Sequence, residues 1–240
     1  MMQQRAGRLG IGLVGAGRVG PVLALALAGA GHAITGVSAI SAESRERAES
    51  LLPQVPVLEV PEVVRRSELV LFAVPGSELP ALVQGLTELG AWQPGQLAAH
   101  TAAEYGHSVF TPALAAGVIP LALHPAMVFT GTSLDLARLQ GATVAVTAPA
   151  PVLPIGQALA VEMGAEPVIV ADADRSAYAE AISAAGELAR AVIRQAGEAL
   201  RDLGIDRSDR VLGGMIRSAV EEELSALGGL AGDAAAESLA

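Results

Sequence analysis

Residues 9–31 constrain this chain more than any other segment. A short apolar run, Leu9-Gly10-Ile11-Gly12-Leu13-Val14, ends in Gly15-Ala16-Gly17-Arg18-Val19-Gly20, and an Ala/Leu-rich helical stretch follows and stops at Gly29 and Gly31. A bare GxGxxG arises easily in a glycine-rich chain. This one stands after a strand and opens a helix, which is the setting a dinucleotide-binding turn requires. In that role Gly15 permits the tight turn, Gly17 lets backbone approach a pyrophosphate, and Gly20 lets the helix press on the sheet. The helix N-terminus, reached through Ala16, Arg18 and Val19, adds free N–H groups and partial positive charge for the phosphates. The competing reading is a strand-to-helix turn that binds nothing.

The 240 residues allow one large domain or two small ones, with a sizeable core. Hydrophobic residues make up 52% of the chain and the mean hydropathy is +0.48. The longest apolar stretch, residues 112–129, is interrupted by Pro120, His124 and Pro125, so no membrane helix is expected. The residues before the first strand are too few for a signal peptide, which makes the cytoplasm the expected compartment. There is no cysteine, which excludes disulfides and thiolate chemistry. A net charge of −10 argues against a nucleic-acid partner, which needs clustered basic residues. All fifteen basic residues are arginine, and asparagine is absent as well. A lysine Schiff base, a lysine general acid and an Asn-oriented substrate are therefore excluded.

Apolar runs alternate with helical patterns along the chain, which predicts an α/β fold with a mostly parallel sheet. Strands are expected near 33–40, 55–60, 68–75, 96–101, 118–124, 142–147 and 166–171. Helices are expected at 43–52, capped by Ser41 or Ser44, at 61–66 with Pro61 at its start, and from Ser77. From Asp174 the texture becomes Ala-rich helix, broken at Gly204-Ile205-Asp206 and resumed to about Leu227. This places a dinucleotide-binding domain at 1–171 and an all-helical domain at 172–240, whose small, acidic end from Gly228 is expected to fray.

The tip of the second strand bears on the choice of nicotinamide cofactor. A dinucleotide without a 2′-phosphate usually meets an acidic residue about 20 positions after the glycine turn. Here the segment reads Val37-Ser38-Ala39-Ile40-Ser41-Ala42-Glu43-Ser44-Arg45, with no acid at the tip. Ser41, Ser44 and Arg45 can instead hydrogen-bond a phosphate, which favours NADP over NAD. Glu43, able to reach a ribose hydroxyl, weighs the other way.

His100-Thr101 and His124-Pro125 each end a strand, at the sheet edge where ligands of open α/β folds bind. Histidine is the usual acid or base near neutral pH, and the alternative for each is a hydrogen-bonded structural ring. With His107 they make no convincing metal-ligand spacing, and no metal is expected. Asp172 and Asp174 can be read as paired carboxylates or, the favoured reading, as caps of the long helix.

Gly15-Ala16-Gly17-Arg18-Val19-Gly20, Phe72-Ala73-Val74-Pro75, His100-Thr101-Ala102 and Leu123-His124-Pro125-Ala126-Met127-Val128-Phe129-Thr130-Gly131 resemble the Rossmann-like proteins that carry a DUF2520 C-terminal domain. That family lies in the 6-phosphogluconate dehydrogenase-like superfamily. Its first domain is similar to those of ketopantoate reductase and the reductases that use coenzyme F420 with NADP. The likeness covers residues 9 to about 227. It implies a Rossmann domain, a helical domain that builds a homodimer, and NADP-dependent oxidoreductase chemistry on an unassigned substrate. Three departures stand out: Tyr178-Ala179 where the family commonly has Tyr-His, Ala184-Ala185-Gly186 where an Asn is frequent, and Gly228-Gly229-Leu230-Ala231-Gly232-Asp233 in place of a longer end.

The resulting expectation is an NADP-binding oxidoreductase that passes hydride to a small carbonyl or imine acid. The nicotinamide lies against Ala73, Val74 and Pro75 and faces Thr101. The proton comes from His124, His100 or Tyr178, and the substrate sits near Pro125 and Thr130. The alternatives are a non-catalytic NADP sensor, favoured by Ala179 and the short end, and a purely structural assembly subunit.

Overall fold

The apolar runs at the centre of the sheet become strands because both their faces are covered. Ile11, Leu13, Val14, Leu69, Val70, Leu71 and Phe72 are all buried, so the runs are continuous rather than alternating, as in parallel sheets between two helical layers. A computed structural model describes the backbone of residues 8–237 and the side chains of residues 8–227. Its seven strands are β1 (Gly10–Val14), β2 (Ala33–Ser38), β3 (Leu69–Phe72), β4 (Leu97–His100), β5 (Ile119–Pro125), β6 (Thr143–Thr147) and β7 (Glu166–Ile169). They lie in the order β2-β1-β3-β4-β5-β6-β7. The strands from β1 to β5 are parallel, β6 runs against β5, and β7 is parallel to β6. The fold is α/β, as the alternation of patterns predicts.

The reversal at β6 has a local cause. The chain leaves β5 at Pro125, makes the short α5 (Leu134–Leu139) and enters β6 at Thr143 without crossing the sheet. A strand entered from the same edge must run back.

Two apolar clusters fill the two faces. One holds Ile11, Leu13, Leu69 and Leu71 with α1 (Gly20–Gly29) and α6 (Leu153–Glu162). The other holds Val14, Val70 and Phe72 with α3 (Val60–Arg65) and α4 (Leu79–Glu88). In the second, Phe72 packs with Trp92 and Phe110 at centroid distances of 5.9 and 5.8 Å.

The strand expected at 55–60 does not form. Val57 makes one bridge to Val37, and α3 already begins at Val60. Pro53, Pro56 and Pro61 remove ladder donors from this stretch. The other boundaries fall within a few residues of expectation. α2 (Ala42–Leu51) is capped by Ser41, whose hydroxyl accepts from the Ser44 N–H. α5, α6 and the 3-10 segment at His107–Ala116 have no counterpart among the expected elements.

The chain divides into two compact units, Met1–Glu180 and Ala181–Ala240. The expected boundary at Asp172 falls on the 3-10 turn that leads into α7 (Arg175–Asp202). The second unit is helical, and Gly204, with φ of +79°, breaks it where the sequence predicts. α8 (Ser208–Glu237) then runs on past Leu227.

Candidate functional site

Five parallel strands send their following loops to one edge of the sheet. Their order, 2-1-3-4-5, puts the topological switch between β1 and β3, where open α/β sheets form their ligand crevice. A cleft of about 480 Å³ lies there, lined by Gly15, Ala16 and Gly17 after β1, Ser41 and Ser44 beyond β2, and Ala73, Val74 and Pro75 after β3.

The glycines of the turn are there for separate steric reasons. Gly15 has φ of +98°, and a Cβ on it would come within 2.6 Å of the Ala73 carbonyl oxygen. A Cβ on Gly20 would meet the Gly15 carbonyl at 2.4 Å and Leu13 at 2.8 Å, so the helix start is pressed onto the sheet. Gly17 faces open space with nothing within 4 Å. The three positions thus match the three demands of a pyrophosphate-binding turn: tight bend, open approach, close packing. Val19 is the N-cap residue of α1 and offers no side-chain cap; Pro21 has no N–H and Val22 and Leu23 donate to the Val19 carbonyl, so the Gly20 N–H is the first-turn donor left available. Exposed Arg18 lies against the loop at Gly131.

Arg45 does not line this cleft. It lines an adjoining one of about 890 Å³, shared with Ser38 and Ile40, which border both. Its Nε donates to the Ala39 carbonyl at 3.3 Å. Glu43 faces elsewhere, into a third cleft with Arg47, Gly131 and Thr132. The acid that weighs toward a ribose contact is therefore on the other side of α2 from Ser41 and Ser44.

The residues expected near substrate divide. His124 and Tyr178 come together, with His124 Nδ1 2.9 Å from the Tyr178 hydroxyl and the rings edge-to-face at 5.5 Å. Burial, reinforced by the positive charge of Arg175, pulls His124 from 6.5 down to about 4. It is a neutral imidazole at pH 7. Burial raises the Tyr178 pKa, and Arg175 opposes that rise.

His100 departs from expectation. It is fully buried, packs on Phe110 at 5.7 Å, and its Nε2 donates to the Gly106 carbonyl at 2.9 Å. Burial lowers it to about 4 against the opposing hydrogen bond. A ring without solvent contact touches no substrate in this conformation. The strand register puts it inside, since β4 ends level with Phe72 and Ala122 on its neighbours.

Pro125 is also buried, within β5. Thr130 is exposed, but its hydroxyl donates to Asp135 Oδ1 at 2.9 Å and pairs with Thr132 at 3.0 Å. Asp135 is buried and also accepts from the N–H groups of Thr130 and Gly131 at 2.7 and 2.8 Å. Burial alone would raise its pKa, and these hydrogen bonds from Gly131 and Thr130 outweigh it. Thr130 thus closes its own loop. Thr101 is half-buried, its N–H donating to the Phe72 carbonyl at 3.0 Å.

Asp172 does not cap α7. Its carboxylate accepts from the Ser108 N–H at 3.1 Å and lies 3.7 Å from His107. Three residues absent from the sequence reading matter here: Asp135, Thr147 and Arg175. The Thr132-Ser133-Leu134-Asp135 spacing is a capping pattern that could have revealed the first. Nothing local reveals Arg175, which is 1% exposed.

A Rossmann-like domain model matches residues 2–125, and the domain of unknown function DUF2520 matches residues 142–232. The chain belongs to the Rossmann-like family and carries a DUF2520 domain. No curated protein matches the sequence. Solved structures share the fold at low identity. A Bacteroides fragilis protein described as a candidate NADP oxidoreductase is 20% identical over 89% of this chain and 80% of that one, with a TM-score of 0.72. An imine reductase from a Pseudomonas species is 15% identical over 95% and 79%, with a TM-score of 0.69. The Plasmodium falciparum pyrroline carboxylate reductase, solved with NADP bound, is 12% identical over 90% and 79%, with a TM-score of 0.62. Among the described residues of this family member, no helix is long and apolar enough to cross a membrane.

Proposed function

We propose that this chain is an NADP(H)-dependent oxidoreductase that reduces a small carbonyl or imine acid. One observation carries the reading: the glycine turn, the serines beyond β2 and the Ala73-Val74-Pro75 loop line a single cleft at the switch point of the sheet. The turn at Gly15, Ala16, Gly17 and the α1 N-terminus through Arg18, Val19 and Gly20 would hold the pyrophosphate. Ser41, Ser44 and Arg45 would hold the 2′-phosphate, with Ala73, Val74, Pro75 and Thr101 toward the nicotinamide. That group, when bound, supplies the hydride.

His124 and Tyr178 are assigned to the substrate. In the Nε2–H tautomer of neutral His124, the Tyr178 O–H donates to Nδ1 and the ring proton on Nε2 is left for substrate. Nε2 has no hydrogen-bond partner among the described residues. A neutral imidazole N–H can polarise a carbonyl or imine without carrying charge. The exposed apolar residues of the second unit support a homodimer built by α7 and α8. One observation favours a second reading, a nucleotide sensor without turnover: Ala179 stands beside Tyr178 where the family commonly has histidine.

Titration with NADP and NAD tests the cofactor, and consumption of NADPH with a panel of 2-keto acids and cyclic imines tests turnover. Arg45→Ala should weaken NADP about tenfold and leave NAD unchanged, since a charge-assisted phosphate contact contributes about 1.5–3 kcal/mol. Equal loss for both cofactors, or tighter NAD binding by the parent, overturns the assignment. Binding without turnover across the panel selects the sensor.

A further inference from the structure

Arg175 has the environment of a hydrophobic residue and the charge of a guanidinium. It is 1% exposed, and no carboxylate lies within ion-pair distance of it among the described residues. Its Nε donates to Thr147 Oγ1 at 2.7 Å, and one Nη donates to the carbonyls of Ala145 and Ala122 at 2.9 and 3.3 Å. The other Nη is buried without a partner. An uncompensated buried cation costs several kcal/mol, and a well-packed apolar side chain of similar size often stabilises such a site. Stability alone does not account for it.

Its position does. The carbonyls of Ala122 on β5 and Ala145 on β6 accept from Arg175, and Ala145 is the register partner of His124. Arg175 and Tyr178 are three residues apart on the first turn of α7, a spacing that puts them on one face. The guanidinium carbon lies 5.7 Å from the centre of the Tyr178 ring, whose hydroxyl meets His124. One side chain thus joins both strands to the helix that supplies the tyrosine, and sets a permanent charge beside the pair.

We propose that Arg175 is a positioning residue that clasps β5 and β6 to α7 and so holds the His124–Tyr178 pair in register. The proposal rests on the reading that this pair faces substrate. The charged and titratable groups around it are His100 at the end of β4, Asp172 in the turn before α7, and Arg175 and Tyr178 on α7. Asp172 is the one negative group among them, and its carboxylate is taken up by Ser108. The fixed charge nearest the pair is therefore positive.

The test is the proton titration of the His124 ring, followed by NMR in the parent, in Arg175→Met and in Arg175→Lys. The parent ring should titrate near 4. Arg175→Met removes charge and clasp, and the ring should titrate higher than in the parent. Arg175→Lys keeps a charge and loses the three-bond fork, so the low value should persist while the Tyr178–His124 contact loosens. A parent ring titrating near 6.5, or an unchanged value in Arg175→Met, overturns the proposal. If Arg175→Met fails to fold, Arg175→Lys decides: a ring that returns to 6.5 there, with the charge retained, overturns it. The measurement needs no cofactor and no substrate. Its failure leaves the oxidoreductase reading standing, and absence of NADPH turnover leaves this one standing.

Discussion

The two compact units treat apolar surface in opposite ways. In the first, the inner strands β1 and β3–β6 and helix α1 bury most of their apolar side chains, and the edge strand β7 leaves Val168 and Ile169 exposed. In the second, Ile182, Leu188, Val192, Ile193, Leu203, Ile205, Val211, Met215, Val220, Leu224 and Leu227 are all more than a third exposed, and Leu212 is the buried apolar residue among those described. A single chain rarely leaves such a patch to water, which costs roughly 1.5–3 kcal/mol per large side chain left unburied. The first unit packs its core between its own sheet and helices. The second has helices that satisfy their backbone internally but not their side chains, and that difference is the physical ground for proposing a homodimer.

The strongest way to break the contrast is to charge the exposed face. Leu188 and Val192 lie one turn apart on α7. Leu188→Glu with Val192→Glu should convert a dimer into a 24.2 kDa monomer by light scattering, while unfolding of the first unit, read by the single tryptophan at Trp92, stays as it was. A parent that already runs as a monomer at micromolar concentration refutes the dimer.

A pH titration sharpens it next. All four histidines lie in the first unit, and His100 and His124 are lowered from 6.5 to about 4, by burial in both. Between those values the unfolded chain binds more protons than the folded one. Stability is therefore complete above about pH 6.5 and falls as the pH drops toward 4, by about 3 kcal/mol for each ring. Denaturant midpoints read at Trp92 should fall over that window, and a flat profile would count against buried neutral rings.

Two glycines give the smallest and most direct comparison. Gly20→Ala puts a methyl group against the Gly15 carbonyl and Leu13 and should cost about 1–3 kcal/mol in the Trp92 transition. Gly214→Ala, in α8 with nothing within 4 Å, should be neutral or stabilising by up to about 1 kcal/mol in helix melting. Equal costs would mean that the close packing at the glycine turn carries no constraint.

The glycine turn was legible because its rules are local. A strand, a bend with positive φ at Gly15 and a helix start at Gly20 are properties of a dozen consecutive residues. The same holds for Ser41 as a cap and for the break at Gly204. The candidate site was legible only in part. His124 and Tyr178 were both expected near substrate, but their contact spans 54 residues of chain, and no spacing announces it. His100 and His124 look alike in sequence, each ending a strand. The register of β4 against β3 and β5 buries one, and β5 runs on past that level with the other.

By itself, then, the sequence determined the alternation of strand and helix, the glycine turn and the absence of lysine chemistry, because residue type and near-neighbour geometry suffice for each. The tertiary structure decided which histidine is sealed, that Thr130 is spent on Asp135, that Asp172 holds Ser108 rather than a helix end, and that Arg175 sits uncompensated under the tyrosine. In each of these the partner comes from a distant element or an unforeseen loop. A buried polar atom takes whichever partner the register of the sheet brings within reach.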